Sequence, residues 1–272
     1  WNEKKRRKEE IEHVWKKNNI HVDINDAALY TWLLLEKIEE QRSKKPTLAP
    51  LTYDLLYEIG KYLTPYFFPG LPEAFAHLKK IPQQHPEWKK EGIEVQVIAI
   101  SAGLGPLLRG SGLGAVIDKI YACEFLTNQE GIITSCIAPL SDTEKTRYYF
   151  KTKKEPYEVN DKIPPSVLQA KPEHMIVLGD GPTDIPLFST AQQQGAICLA
   201  VYESENTKSL HKAITLRQQD RIFNFFEADY RPKSSLMQFI TYSIEQFCEN
   251  IVKNKKRSYD ELVKKAVSLR DE

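Results

Sequence analysis

His174-Met175-Ile176-Val177-Leu178-Gly179-Asp180-Gly181-Pro182-Thr183-Asp184 is the stretch that decides the fold class. It opens on an apolar run of strand length, and a strand without a polar face belongs to a parallel sheet covered by helices on both sides. The run stops at two glycines flanking Asp180, and a second acid, Asp184, heads a helical pattern over residues 184–193. The same order recurs to either side. Residues 95–100 are a β-branched run ending in Ser101-Ala102-Gly103, and residues 120–125 and 196–201 are two further short runs. Helical patterns over 105–117, 143–153 and 207–216 lie between them. Strands alternating with helices predict an α/β fold with one parallel sheet flanked by helices.

Outside this core the pattern is helical. Residues 3–17 carry Ile11, Val14 and Trp15 at helical spacing, and Asp26 is a candidate N-cap for a helix over 27–41. Residues 41–50 are a polar, proline-bounded loop, and 51–63 form a third helix that Pro65 stops. A turn at Phe67-Phe68-Pro69-Gly70-Leu71-Pro72-Glu73 leads into a helix ending near Lys80, with Pro72 in its first turn. From Ser234 onward the chain reads as one or two amphipathic helices. Three segments follow: a helical block over 1–63, an α/β core over 64–232 and a helical extension over 233–272.

Composition narrows the function classes. Of 272 residues, 41% are hydrophobic and 28% charged, the balance of a globular protein and not of a disordered or fibrous one. No stretch approaches the roughly 18 consecutive apolar residues of a membrane span. The opening residues, Trp1 to Lys8, are charged and do not form a secretory signal. A net charge of +1 gives no global attraction to nucleic acid or anionic lipid. The basic clusters at 4–8 and 253–257 each sit beside acids and read as solvated helix faces. Cys123, Cys136, Cys198 and Cys248 are scattered, with no CxxC pair, which points to a reducing, cytoplasmic setting.

Three polar stations carry the chemistry. Asp180 and Asp184 concentrate negative charge behind one strand, and a hard cation such as Mg²⁺ is its natural partner; helix capping is the alternative for Asp184. Ser101, with the amides of Ala102 and Gly103, can cradle an anion or can simply cap a helix. Lys145, in Ser141-Asp142-Thr143-Glu144-Lys145, is either a surface lysine or a cation set against phosphate and carboxylates.

Taken in chain order, Ile98-Ala99-Ile100-Ser101, Lys145 and Val177-Leu178-Gly179-Asp180-Gly181-Pro182-Thr183-Asp184 resemble the second, third and fourth motifs of the haloacid dehalogenase superfamily of phosphohydrolases. The likeness covers roughly residues 64–232 and extends to a group of uncharacterised bacterial hydrolases in that superfamily; the helical block before Phe67 resembles the cap these enzymes carry. The resemblance implies a Rossmann-like core and Mg²⁺-dependent hydrolysis of a small phosphorylated substrate through an aspartyl-phosphate. Ser101, Ala102, Gly103 and Lys145 would then bind the phosphoryl group. Asp180 would hold the metal, with Asp184 as second ligand or as orienter of Lys145. Nucleic acid and membrane are not among the implied partners, and oligomeric state is left open.

The superfamily's first motif, Asp-x-Asp, has its nearest match at Val22-Asp23-Ile24-Asn25-Asp26, where Asn25 replaces the second acid. Asp23 is therefore a weak candidate nucleophile. In that family the strand bearing the first motif lies between those of the second and fourth, and neighbouring strands are about 4.7–4.9 Å apart. Either a segment carrying the motif precedes Trp1, which the non-methionine start favours, or another strand fills the slot, or the chain is an inactive relative that binds a phosphorylated ligand or a protein. A dinucleotide site at Gly110-Ser111-Gly112-Leu113-Gly114 is disfavoured, since the run does not follow a strand directly.

Overall fold

The computed structural model describes residues 2–268. In chain order the elements are α1 (Asn2–Lys17), α2 (Asp26–Lys44), α3 (Tyr53–Gly60), α4 (Glu73–Leu78), α5 (Ile81–Gln84), α6 (Pro86–Lys90), β1 (Ile98–Leu104), α7 (Gly105–Gly110), β2 (Lys119–Thr127), β3 (Ile133–Ala138), α8 (Asp142–Lys154), β4 (Ile176–Gly179), α9 (Ile185–Gln193), β5 (Ile197–Tyr202), α10 (Thr207–Gln218), β6 (Asn224–Glu227) and α11 (Ser235–Ser268). The fold is α/β, and no helix among the described residues is long and apolar enough to cross a membrane. The elements gather into two compact units that interleave along the sequence, where sequence pattern draws three contiguous segments. One unit holds the residues up to Tyr66, Ile98–Gln169 and Pro182–Thr190; the other holds Phe67–Val97, Ala170–Gly181 and the residues from Ala191 onward.

The first unit is built on a sheet of order β1-β2-β3, parallel between β1 and β2 and antiparallel between β2 and β3. α3 crosses α7 at glycines. A Cβ at Gly110 would lie 2.0 Å from the Tyr57 carbonyl oxygen, and one at Gly60 would lie 2.3 Å from that of Leu107. Close backbone approach therefore explains Gly110, and the helix expected over 105–117 stops there, giving way to a short 3₁₀ turn at Gly112–Ala115.

The second unit is built on the parallel sheet β4-β5-β6. Its central strand supplies Cys198, Leu199 and Ala200, all fully buried. Along α11, Leu236, Met237, Ile240, Ile244, Cys248 and Val252 recur at helical spacing and close the core together with residues of α4, α5 and α6. Each such large apolar side chain contributes about 1.5–3 kcal/mol on burial. Val95, expected in the first strand, packs instead into this core, and the strand begins at Ile98.

Two three-stranded sheets thus stand in place of the single expected one. Among the described residues β1 pairs with β2 alone and β4 with β5 alone, so each strand leading into a candidate station is an edge. Their residues are correspondingly half-buried, whereas β5 is almost wholly enclosed.

A turn in the second unit tests this packing. Gly70 has φ +89°, and a Cβ there would lie 2.3 Å from the carbonyl carbon of Tyr230, whose N–H donates to Pro69 O at 2.7 Å. Gly131 has φ +78° but open space around it. Gly131→Ala should cost about 1–2 kcal/mol, the left-handed strain alone. Gly70→Ala should cost more by a further ~1–3 kcal/mol for the overlap, a ranking read directly from urea unfolding midpoints.

Candidate functional site

Ser101 lies inside β1 and not at its end. The β1–β2 register holds at Ile100↔Tyr121, lapses, and resumes at Leu104↔Cys123, so Ser101-Ala102-Gly103 form the irregular interval. Three residues on β1 there face one on β2, the signature of a bulge that re-aims the strand. Ser101 Oγ accepts the Gly103 N–H at 3.0 Å. The Ala102 carbonyl accepts the Cys123 thiol at 3.4 Å, a contact that sequence pattern did not signal. The Gly103 amide, assigned above to an anion, is therefore held by the serine's own hydroxyl.

Lys145 is not a surface lysine. α8 begins in a capping box at Ser141 and Glu144, the S-x-x-E pattern legible in the sequence. Its buried face then recurs through Lys145, Tyr149 and Thr152. α8 packs against β1 and against the 3₁₀ turn Pro182–Asp184. At that turn Lys145 Nζ donates to Asp184 Oδ1 at 2.6 Å and to Thr183 Oγ1 at 3.4 Å. Lys145 is 8% and Asp184 6% exposed, so this is a buried ion pair. The helix start is tied down in turn: Ser141 Oγ accepts from Asn25 Nδ2 at 3.2 Å and donates to Glu144 Oε2 at 2.7 Å. That hydroxyl holds the Glu144 carboxyl below the usual range, against a smaller upward push from burial.

Ser101, Lys145 and Asp184 thus belong to the first unit. Asp180 follows β4 in the second, joined to Asp184 by the covalent chain through Gly181, Pro182 and Thr183. In its own unit Asp180 carries charge near Tyr230, whose phenol is pushed up to about 12 chiefly by burial and secondarily by that carboxylate. Asp23 is exposed, in the extended segment before α2. The N-cap of α2 is Asn25, whose Oδ1 accepts from the amides of Ala27 and Ala28, and Asp26 is the first helical residue.

Several other charged groups are engaged in ion pairs. The run 110–114 borders an open cleft of about 430 Å³ with Lys61 and Arg109. Lys61 pairs with Glu58 at 2.6 Å and Arg109 with Glu124 at 2.7 Å. In the basic clusters, Arg6 pairs with Glu10, Lys8 with Asp26, Lys255 with Glu91 and Lys256 with Glu87.

No family model matches the chain. It is similar to a protein of Borreliella burgdorferi described as an uncharacterized protein, 25% identical over 261 residues that cover 89% of this chain and 85% of that one.

The buried pair predicts strong coupling. Lys145→Met, which strands a carboxylate away from water, should cost about 3–5 kcal/mol, and Lys145→Met combined with Asp184→Leu markedly less than the sum of the single changes. A double-mutant cycle by denaturant unfolding gives the coupling energy. Glu144 adds a pH test. Its pKa is depressed in the fold, so its contribution is present above the unfolded carboxylate value, about 4.3, and is lost as pH falls through the lower folded value. Glu144→Ala should cost about 1 kcal/mol at pH 7, with the gap to the parent protein narrowing as the solution is acidified below pH 4.3.

Proposed function

We propose that the chain is a phosphohydrolase of the haloacid dehalogenase type, acting in the cytoplasm on a small phosphorylated substrate with Mg²⁺. The observation that carries this is the buried Lys145–Asp184 pair on a helix packed against the strand of Ser101. The ion pair alone would serve a structural role, but it also sets the ammonium on a helix packed against the bulged strand of Ser101, the placement a phosphoryl-binding lysine would need.

In this proposal Ser101 Oγ and the Ala102 amide hold the phosphoryl oxygens, with the hydroxyl exchanging the Gly103 amide for the ligand. Lys145 balances the phosphoryl charge, and Asp184, already bonded to it, acts as its orienter more than as a metal ligand. The part of Asp180, in the second unit, rests on the sequence motif. Among the described residues no group of three His, Cys, Asp or Glu side chains could hold a metal by itself. Mg²⁺ commonly needs only one or two carboxylates, completing its shell with water and substrate phosphate, and Asp180 is compatible with that manner of binding. When bound, the ion would withdraw charge from the phosphoryl oxygens.

An aspartyl-phosphate forms when a carboxylate oxygen attacks phosphorus and the ester oxygen departs with a proton; water then cleaves the acyl phosphate. Asp23, exposed and followed by the capping Asn25, is poorly suited to that attack. The open side of β1 is where a further strand bearing the nucleophile would pair. The side-chain amide of Asn25, which cannot donate a proton to a leaving group, favours a second reading: an inactive relative that retains the phosphate receptor without turnover.

Hydrolysis of p-nitrophenyl phosphate by the gene product as encoded, with and without Mg²⁺, separates the two. Metal-dependent turnover, lost by at least ~100-fold in Asp180→Asn and in Lys145→Met that still folds, supports the hydrolase, since single electrostatic contacts of this kind are worth about that much. Phosphate binding without turnover of any phosphoester supports the receptor, and neither activity nor phosphate binding overturns both.

A further inference from the structure

We propose that Cys123 and Cys136 are a redox-active thiol pair, closed to a disulfide by a hydroperoxide, and that closure releases the backbone at Ala102. The two residues, 13 positions apart in the chain, lie on the paired strands β2 and β3 of one hairpin. β2 and β3 run antiparallel with Glu124 opposite Ala138 and Phe125 opposite Cys136, which leaves Ile137 as an extra, exposed residue between them. Side chains alternate along a strand, so Cys123 shares a face with Phe125, and Cys136, opposite Phe125, shares it too. That makes the thiols diagonal cross-strand neighbours, and the two side chains meet in a hydrogen bond between Cys123 and Cys136.

Packing agrees with the register. Cys136 lies against the small core formed by Ala27, Cys123 and Leu140. The Cys123 thiol is kept protonated first by burial, and Cys136 is among the neighbouring groups that add to this. Cys123 is fully buried and Cys136 only partly so, and both are free thiols. The partly exposed Cys136 is the thiol an oxidant reaches first, and the fully buried Cys123 is placed to resolve the product.

The step balances. The sulfur of Cys136 attacks the O–O bond of hydrogen peroxide, giving Cys136–SOH, and the departing hydroxide takes the thiol proton as one water. The sulfur of Cys123 then attacks the sulfenic sulfur; the S–S bond forms, the S–O bond breaks, and the departing hydroxyl takes the Cys123 proton as a second water. Two thiols are oxidised by two electrons and one peroxide is reduced. A small dithiol reverses the change by exchange.

The consequence lies in β1. Cys123 Sγ donates to Ala102 O at 3.4 Å and accepts the Leu140 amide at 3.3 Å. A disulfide has no S–H, so the Ala102 carbonyl loses its donor in the interval where β1 and β2 are already out of register. An effect on phosphate binding rests on the phosphohydrolase proposal; the cross-link does not.

Peptide mapping without reductant, after treatment with hydrogen peroxide, tests the pair. The expected result is a Cys123–Cys136 cross-linked peptide lighter by two hydrogens, reversed by dithiothreitol, with Cys198 and Cys248 still reduced and with faster amide exchange at Gly103. Cys136→Ser should abolish the cross-link and keep the slow exchange of the reduced protein. Oxidation of Cys136 to sulfinic acid without a cross-link, or a link to Cys198 or Cys248, would overturn the proposal, as would unchanged exchange at Gly103 in the cross-linked form. Inorganic phosphate is titrated into both forms by calorimetry. Weaker binding after oxidation supports the coupling to the bend, and equal binding overturns it. No binding in either form overturns the phosphohydrolase proposal, while the cross-link still decides the thiol pair.

Discussion

A lysine ammonium and an aspartate carboxylate, both shut away from water, impose the tightest constraint in the first unit. Each charge alone would cost several kcal/mol to bury, and their mutual attraction offsets this only when the geometry is held. The surrounding residues supply that geometry. Asn25 caps α2 and bonds Ser141; Ser141 and Glu144 start α8; α8 turns Lys145 inward; and the 182–184 turn presents Asp184 and Thr183 to it. Three segments far apart in sequence are thereby tied to one pair of charges. The same helix that carries Lys145 inward packs on the strand that contains Ser101, so the tie also assembles the candidate residues of the first unit.

Much of this was legible before any coordinates. Apolar runs gave the cores of β1, β2, β4 and β5, and the S-x-x-E pattern marked the start of α8. β3 and β6 were not legible, for different reasons. In Ile133-Thr134-Ser135-Cys136-Ile137-Ala138 the bulge puts Ile137 out to solvent, so the expected alternation fails. Asn224-Phe225-Phe226-Glu227 is too short to show a period. The end of α7 at Gly110 was hidden because the glycine answers to a contact with Tyr57, a residue 53 positions earlier. The choice of Asn25 over Asp26 as cap was undecidable from residue type, since both side chains can accept amides, and the Ala27 and Ala28 amides donating to Asn25 Oδ1 settle it.

The candidate site was legible only as residue types in order. Lys145 and Asp184 are brought together as that order implies. The state of the Ser101 turn was not, because local hydrogen bonds of a serine compete with ligand binding and leave no periodic trace. Nor could pattern show that the chain divides its α/β elements between two interleaved units, which depends on where Val95 finds its neighbours.

The edges give the bend at Ser101 a further meaning. An edge strand offers a row of backbone donors and acceptors to any passing chain, and natural sheets blunt such rows by irregularity or by satisfying them locally. β1 does both within three residues: its register with β2 lapses, Ser101 Oγ takes the Gly103 amide, and the Cys123 thiol bonds the Ala102 carbonyl. Of the groups so engaged, the Gly103 amide and the Ser101 hydroxyl are donors that the proposed phosphoryl oxyanion would compete for. In the proposed function the Ser101–Gly103 bond would serve both protection of the strand and entry of the ligand, exchanged at the cost of a single local hydrogen bond, about 0.5–1.5 kcal/mol. That cost is small beside what a charge-assisted contact to Lys145 would return, so a ligand need not unfold the edge to enter it.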